Sequence, residues 1–184
     1  MSDAAALLAR VTTALERAGV PYMLAGSFAS SHHGAPRMTR DIDIVVDPTK
    51  DSLDAFLEEM RSEDVYLDAG VARSELGRRG QFNIIHGATA WKVDLIFKKS
   101  RPFSRSELDR RAPAKVLGVD VLVASPEDTV LAKLEWARFG ESERQLRDVR
   151  GILDVKGDVL DLAYIERWLD DLGVRELWDR VRAG

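Results

Sequence analysis

Two aspartates are set into the start of an apolar strand pattern, Asp41-Ile42-Asp43-Ile44-Val45-Val46. In a β-strand, residues two apart project from the same face, about 6.6–6.8 Å apart along the chain, so Asp41 and Asp43 stand together while Ile42 and Ile44 face the other way. A carboxylate withdrawn from water is costly unless a cation or hydrogen-bond donors balance it. Two carboxylates on one face also repel, and hard oxygen ligands of this kind suit Mg2+ or Mn2+.

A second strand pattern, Trp91-Lys92-Val93-Asp94-Leu95-Ile96-Phe97, puts Trp91, Val93, Leu95 and Phe97 on one face and Asp94 on the other. If the two strands are neighbours, roughly 4.8 Å apart, three carboxylates converge. Such a set can hold metal ions about 3.5–4 Å apart on the attacking and leaving oxygens of a phosphoryl or nucleotidyl transfer. Upstream, Gly26-Ser27 opens a short helical segment. A glycine there lets backbone approach a phosphate, the first amides of the helix donate to an anion, and Ser27 adds a hydroxyl.

The elements that must position these residues follow from periodicity and turn chemistry. Ser2 or Asp3 caps a helix over 4–18, whose apolar stripe is Leu7, Leu8, Val11 and Leu15. A strand over 22–25 leads into Gly26-Ser27 and a helix ending near Gly34, and Pro36 forces an extended link into the strand 41–46. After Pro48 a helix over 53–61 is expected, then strands over 82–85 and 91–97 joined by a hairpin at His86-Gly87-Ala88-Thr89. A strand over 119–123 precedes Ser125-Pro126-Glu127-Asp128, an N-cap with proline and acids in the first turn, and the remainder reads as three or four helices. The fold class is α/β (α+β): a front part, 1–124, and a carboxy-terminal helical region, 125–184. Trp136, Trp168 and Trp178, with Leu131, Leu134, Leu162, Ile165 and Leu169, are assigned to helix packing.

With 184 residues, 45% of them hydrophobic and 32% charged, the composition is that of a globular protein and not of a disordered chain. The absence of cysteine excludes disulfides and thiolate metal sites. Neither an apolar signal core nor an apolar run of spanning length occurs, so a cytoplasmic location and no membrane partner are the expectation. The formal charge of −4 is uneven: 14 acidic and 10 basic residues lie from Glu127 onward, against 17 of each before it. The front part gathers basic clusters such as Lys98, Lys99 and Arg101. These can attract phosphates or serve only as solvated surface. His32 and His33, without a third ligand, are read as shaping a helix end.

The combination of Gly26-Ser27, Asp41-x-Asp43 and Asp94 resembles the nucleotidyltransferase superfamily related to DNA polymerase beta, over roughly residues 20–100. Within it, Leu24-Ala25-Gly26-Ser27 followed by Arg37-x-Thr39-x-Asp41-x-Asp43 is most similar to the abortive-infection (AbiEii-like) and toxin-antitoxin nucleotidyltransferases. Lys133-Leu134 and Arg144-Gln145-Leu146-Arg147-Asp148 match shorter motifs of their helical part. The resemblance implies a mixed-sheet core beside a substrate cleft and a two-metal transfer of a nucleotidyl group from a nucleoside triphosphate (NTP) to an acceptor, releasing pyrophosphate. Asp41, Asp43 and Asp94 would hold the metals, Asp94 nearest the acceptor hydroxyl. Gly26, Ser27, Arg37, Arg40 and Lys133 would meet the nucleotide, and Asp148 would support the base, the metal site or Lys133.

Three function classes follow. The first is a toxin that modifies transfer RNA and is held by an antitoxin protein. The second is an enzyme acting on a small molecule such as an antibiotic, or on a protein hydroxyl. The third is a non-catalytic nucleotide-binding relative, whose mark would be a lost carboxylate, and all three carboxylates are present.

Overall fold

The computed structural model describes residues 2–140 and 142–183. Its elements run α1 (Asp3–Arg17), β1 (Tyr22–Leu24), α2 (Gly26–His33), β2 (Asp41–Val46), α3 (Lys50–Glu59), β3 (Val65–Leu67), α4 (Ala69–Arg78), β4 (Gln81–His86) and β5 (Lys92–Phe97). They continue through α5 (Pro102–Asp109), β6 (Ala112–Val116), β7 (Val119–Val123), α6 (Pro126–Arg138), α7 (Ser142–Lys156), a 3-10 turn (Gly157–Val159), α8 (Leu162–Leu172) and α9 (Arg175–Ala183). The mixed α/β fold with carboxy-terminal helices is as the sequence implied.

The strands form one mixed sheet in the order β3-β4-β5-β2-β1-β7-β6. β2 runs parallel to β5 and antiparallel to β1, and β1 runs parallel to β7. The register places Ile42 beside Val93, Ile44 beside Leu95 and Val46 beside Phe97, and all six are fully buried. They form a core with Leu8, Val11 and Leu15 of α1 and Leu53 and Phe56 of α3. Each such side chain contributes about 1.5–3 kcal/mol by leaving water, and a slip of one residue would exchange that face with the one bearing Asp41 and Asp43. Apolar burial on one face therefore determines where the carboxylates point on the other.

A second apolar cluster joins Val130, Leu131 and Leu134 of α6 to Val149 and Ile152 of α7, Ile165 and Leu169 of α8 and Trp178 of α9, with Phe103 of α5. Two expectations for these helices are corrected. Trp136 is 56% exposed and Leu162 is 38% exposed. The 3.6-residue period puts Trp136 on the side of α6 opposite Val130, Leu134 and Ala137, so it faces away from the helix bundle.

The sequence reading missed β3, α4, α5 and β6. Asp68 caps α4 by accepting from the Gly70 and Val71 N–H groups. In α5 the first turn carries Pro102, and β6, with Pro113, is an edge strand, the place in a sheet where proline is tolerated.

The helices α2 and α7 meet backbone to backbone. A Cβ built on Gly34 would lie 2.6 Å from the Gly151 carbonyl carbon, so neither helix can give way by moving a side chain. Gly34→Ala is expected to lower the unfolding free energy by about 1–3 kcal/mol, read as a lower urea midpoint at unchanged slope. Gly157→Ala, whose added Cβ meets nothing within 4 Å, should leave the midpoint in place.

Candidate active site

The face of the sheet opposite the α1 and α3 core carries the polar residues. There Asp41 pairs in register with Lys92 and Asp43 with Asp94, on adjacent parallel strands. Beyond them the same face turns apolar, with Val45 between Ile96 and Met23. The three aspartates picked out from the sequence thus share one patch. Burial, with the Asp94 carboxylate next in effect, pushes the Asp43 carboxyl above its ordinary value, although Lys133 and the Ser27 N–H work in the other direction.

Gly26 opens α2 against this patch. It holds φ +57°, and a Cβ there would lie 1.9 Å from Asp43 Oδ2, so a side chain is excluded by both conformation and space. The Ala25 N–H donates to the Asp43 carbonyl at 2.8 Å, and the Ser27 N–H donates to the Asp43 side chain. The turn thus touches Asp43 directly. The N-cap residue, Ala25, makes no side-chain cap bond, and the first turn of α2 instead offers the Ser27 N–H to the Asp43 carboxylate.

Lys133 and Asp148 reach the same place from the helices. Lys133, 4% exposed, donates to Asp148 Oδ2 at 2.7 Å, and Arg37 Nε donates to Asp148 Oδ1 at 2.9 Å. Arg37 also donates to the Ser27 hydroxyl, and the Ser30 hydroxyl donates to Asp148. Burial pushes the Lys133 ammonium below its usual range, opposed by the bond to Asp148. Burial acts to raise the Asp148 carboxyl, but Lys133 and Arg37 together hold it below its ordinary value. Of the alternatives left open for Asp148, the contacts match support of Lys133, extended to Arg37.

Lys133 and Arg37 help to line a cavity of about 450 Å³ between the sheet, α5, α6 and the start of α7, and Asp148 stands behind them, outside its lining. Gly26, Ser27, Arg37, Asp41, Asp43, Asp94 and Lys133 all border it, whereas Arg40 is exposed and lies outside its lining. The face of α6 turned away from the bundle supplies Thr129, Lys133 and Trp136 to the wall.

Several cavity residues escaped the sequence reading. Glu135 receives Arg101 through two bonds of 2.5 and 2.6 Å, tying α6 to the start of α5. Asp128, fully buried, accepts from Tyr164 at 2.6 Å, Ser125 at 2.6 Å and Arg110 at 3.2 Å. It does more than oppose a helix dipole. Glu107 is buried in the wall, and burial raises its carboxyl to about 7, offset in part by a hydrogen bond from Ser104. No local pattern in the sequence marks these residues. Lys92 did carry a signal, since a period of two places it on the same face as Asp94.

As to metal, Asp94 Oδ1 is buried with no hydrogen-bond partner among the described residues, and burial, followed by the carboxylate beside it, raises Asp43. Both are hard oxygen donors, Asp94 with one oxygen unpartnered, and they fit a divalent cation. Among the described residues, no group of three His, Cys, Asp or Glu side chains stands ready-made around an ion position. Asp41 and Asp94 instead both reach Lys92 Nζ, at 3.5 and 2.9 Å. Among the described residues, no helix is long and apolar enough to cross a membrane.

Solved structures share this architecture. The chain is similar to ANT(2'')-Ia in complex with adenylyl-2''-tobramycin, at 11% identity and a TM-score of 0.60, over 95% of this chain and 99% of that one. An antigenic nucleotidyltransferase-like protein from Paracoccidioides brasiliensis matches at 18% identity and 0.57, over 100% and 94%. The lincosamide antibiotic adenylyltransferase LnuA, lincomycin-bound, matches at 12% and 0.52, over 84% and 98%. At these identities the likeness establishes a shared fold. No protein-family model and no curated protein matches the sequence.

Two outcomes are expected. Asp148→Asn leaves the Lys133 ammonium buried without its carboxylate, which should cost about 3–5 kcal/mol in urea unfolding, and adding Lys133→Met should recover most of it. For Glu107, a folded value raised from 4.5 to about 7 means that the native state holds the extra proton between those pH values. Stability should therefore fall as pH rises from 4.5 to 7, by up to about 3 kcal/mol, and Glu107→Gln should flatten that part of the profile.

Proposed function

We propose that this protein is a metal-dependent nucleotidyltransferase that moves a nucleotidyl group from an NTP to the hydroxyl of a small-molecule acceptor. The observation that carries the reading is the juxtaposition of Asp43 and Asp94 on neighbouring parallel strands, with Asp41 beside them and the Gly26 turn in contact with Asp43. Nothing in the packing of the sheet requires acids at these three positions.

Asp41, Asp43 and Asp94 would hold Mg2+ or Mn2+, which when bound neutralises the triphosphate and aligns the attacking and leaving oxygens. The remaining amides at the start of α2 and the Ser27 hydroxyl would meet the triphosphate, and Lys133 would offer it a point charge. Arg37 and Asp148 hold Lys133 and Ser27 in place. Asp94 would stand nearest the acceptor and take the hydroxyl proton. The acceptor oxygen then bonds to the α-phosphorus as the bond to the β-phosphate oxygen breaks, and pyrophosphate leaves with that electron pair.

The size of the cavity favours a small acceptor. About 450 Å³ bounded by the sheet and by residues of α2, α5, α6 and α7 is in the range that holds drug-sized molecules. Two similar structures are of antibiotic-modifying proteins, which supports the same choice. Transfer RNA, as in the toxin reading, is the acceptor to be set against it.

The test is a transfer assay with Mg2+, each α-labelled ribonucleoside triphosphate, and three acceptor sets: aminoglycosides with lincosamides, total transfer RNA, and bulk protein. Label should appear in the small-molecule set and fall by more than about a hundredfold in Asp43→Ala, since loss of groups merely behind a metal ligand already costs 10–100-fold. Label on transfer RNA would replace the small-molecule reading with the toxin one. Transfer undiminished in Asp43→Ala would reject this site.

A further inference from the structure

Asp41, Asp43, Lys92 and Asp94 occupy the four corners of one patch on neighbouring strands, three carboxylates and a single ammonium. Lys92 stands opposite Asp41 and two residues from Asp94 on the same face, and its Nζ lies 2.9 Å from Asp94 Oδ2 and 3.5 Å from Asp41 Oδ1. It holds one oxygen of each of two of the three carboxylates that a divalent ion would use. We propose that Lys92 is a resident counter-cation of the carboxylate patch, which it occupies in the free protein and yields to divalent metal, so that Lys92 sets the affinity of the protein for metal. The proposal rests on the reading of these aspartates as metal ligands.

The geometry decides which partner moves. The Asp94 side chain is 11% exposed and fixed in the sheet, whereas that of Lys92 is 32% exposed on a flexible four-carbon stem with solvent beside it. A single positive charge can be exchanged for two here without a backbone change. In the free protein the ammonium lessens the repulsion among three acids that burial cannot relieve. Metal binding then has to displace it, so Lys92 weakens the site for the bare ion while stabilising the protein without it. Asn83, opposite Asp94 on β4, brings no charge that could substitute.

The experiment is a Mn2+ titration of the metal-free full chain, without nucleotide, followed by the electron paramagnetic resonance of free Mn2+, for wild type, Lys92→Met, Lys92→Gln and Lys92→Arg. The two neutral variants should bind Mn2+ roughly tenfold tighter, about 1.4 kcal/mol, and Lys92→Arg should stay near wild type. In EDTA the neutral variants should melt below wild type, and Mn2+ should raise their melting temperature by more than it raises that of the wild type. A wild type that binds Mn2+ while both neutral variants bind it equally or more weakly overturns the role of Lys92 and leaves the three-aspartate site standing. Failure of every protein to bind Mn2+, with or without ATP, overturns the reading of the site and this proposal together. Two neutral variants are included so that poor folding of one does not decide the matter.

Discussion

Two carboxylates held side by side on a half-buried sheet face are the constraint around which this structure is arranged. Asp43 and Asp94 are paired by the register of β2 and β5, and that register is imposed by Ile42, Ile44, Val93 and Leu95 on the other face. The apolar core therefore enforces a repulsion that the polar side must answer. It answers with the Ser27 N–H, the field of Lys133 on one side and the ammonium of Lys92 on the other. Gly26 is required because Asp43 fills the space where a side chain would be.

The second consequence is mechanical. Lys133 can face the site only because α6 presents one side to the bundle and the other to the cavity, and because Asp148 on α7 accepts its charge. Asp148 in turn holds Arg37, which reaches back to Ser27 at the start of α2. A closed circuit thus runs from the glycine turn through the helices and back. The contact of Gly34 with Gly151 brings α2 and α7 close enough for that circuit to form.

The cavity has two chemically different ends. Near Gly26 it is lined by Asp41, Asp43, Asp94, Arg37 and Lys133, charges of both signs. Towards α5 it is walled by Phe103, Val45 and Ile96, with Glu107 buried among them. Burial raises Glu107, and Arg101, which opposes the rise, gives two bonds to Glu135 instead. That end combines an apolar wall with a buried carboxyl.

Local sequence determined the elements that make up the site. The strand 41–46 appears with the expected bounds, α1, α2 and β5 lie within a few residues of theirs, and the alternation of Ile with Asp in β2 named the face the carboxylates use. Short elements were lost where signals were brief or conflicting, as in β3 with three residues and β6 with its proline. Sequence alone could not pair β2 with β5, since parallel neighbours are brought together by a long excursion of chain and share no turn that announces them. Nor could it separate Trp136 from Trp168, which differ only in the side of the helix that the rest of the molecule covers. Asp148 acquired its meaning from Arg37 far along the chain, Lys92 in part from Asp41 across the sheet, and Glu107 from burial. Periodicity specifies the face on which a charge stands; the charge opposite it is decided by tertiary packing, because electrostatic partners are chosen by distance in space and leave no period in the chain.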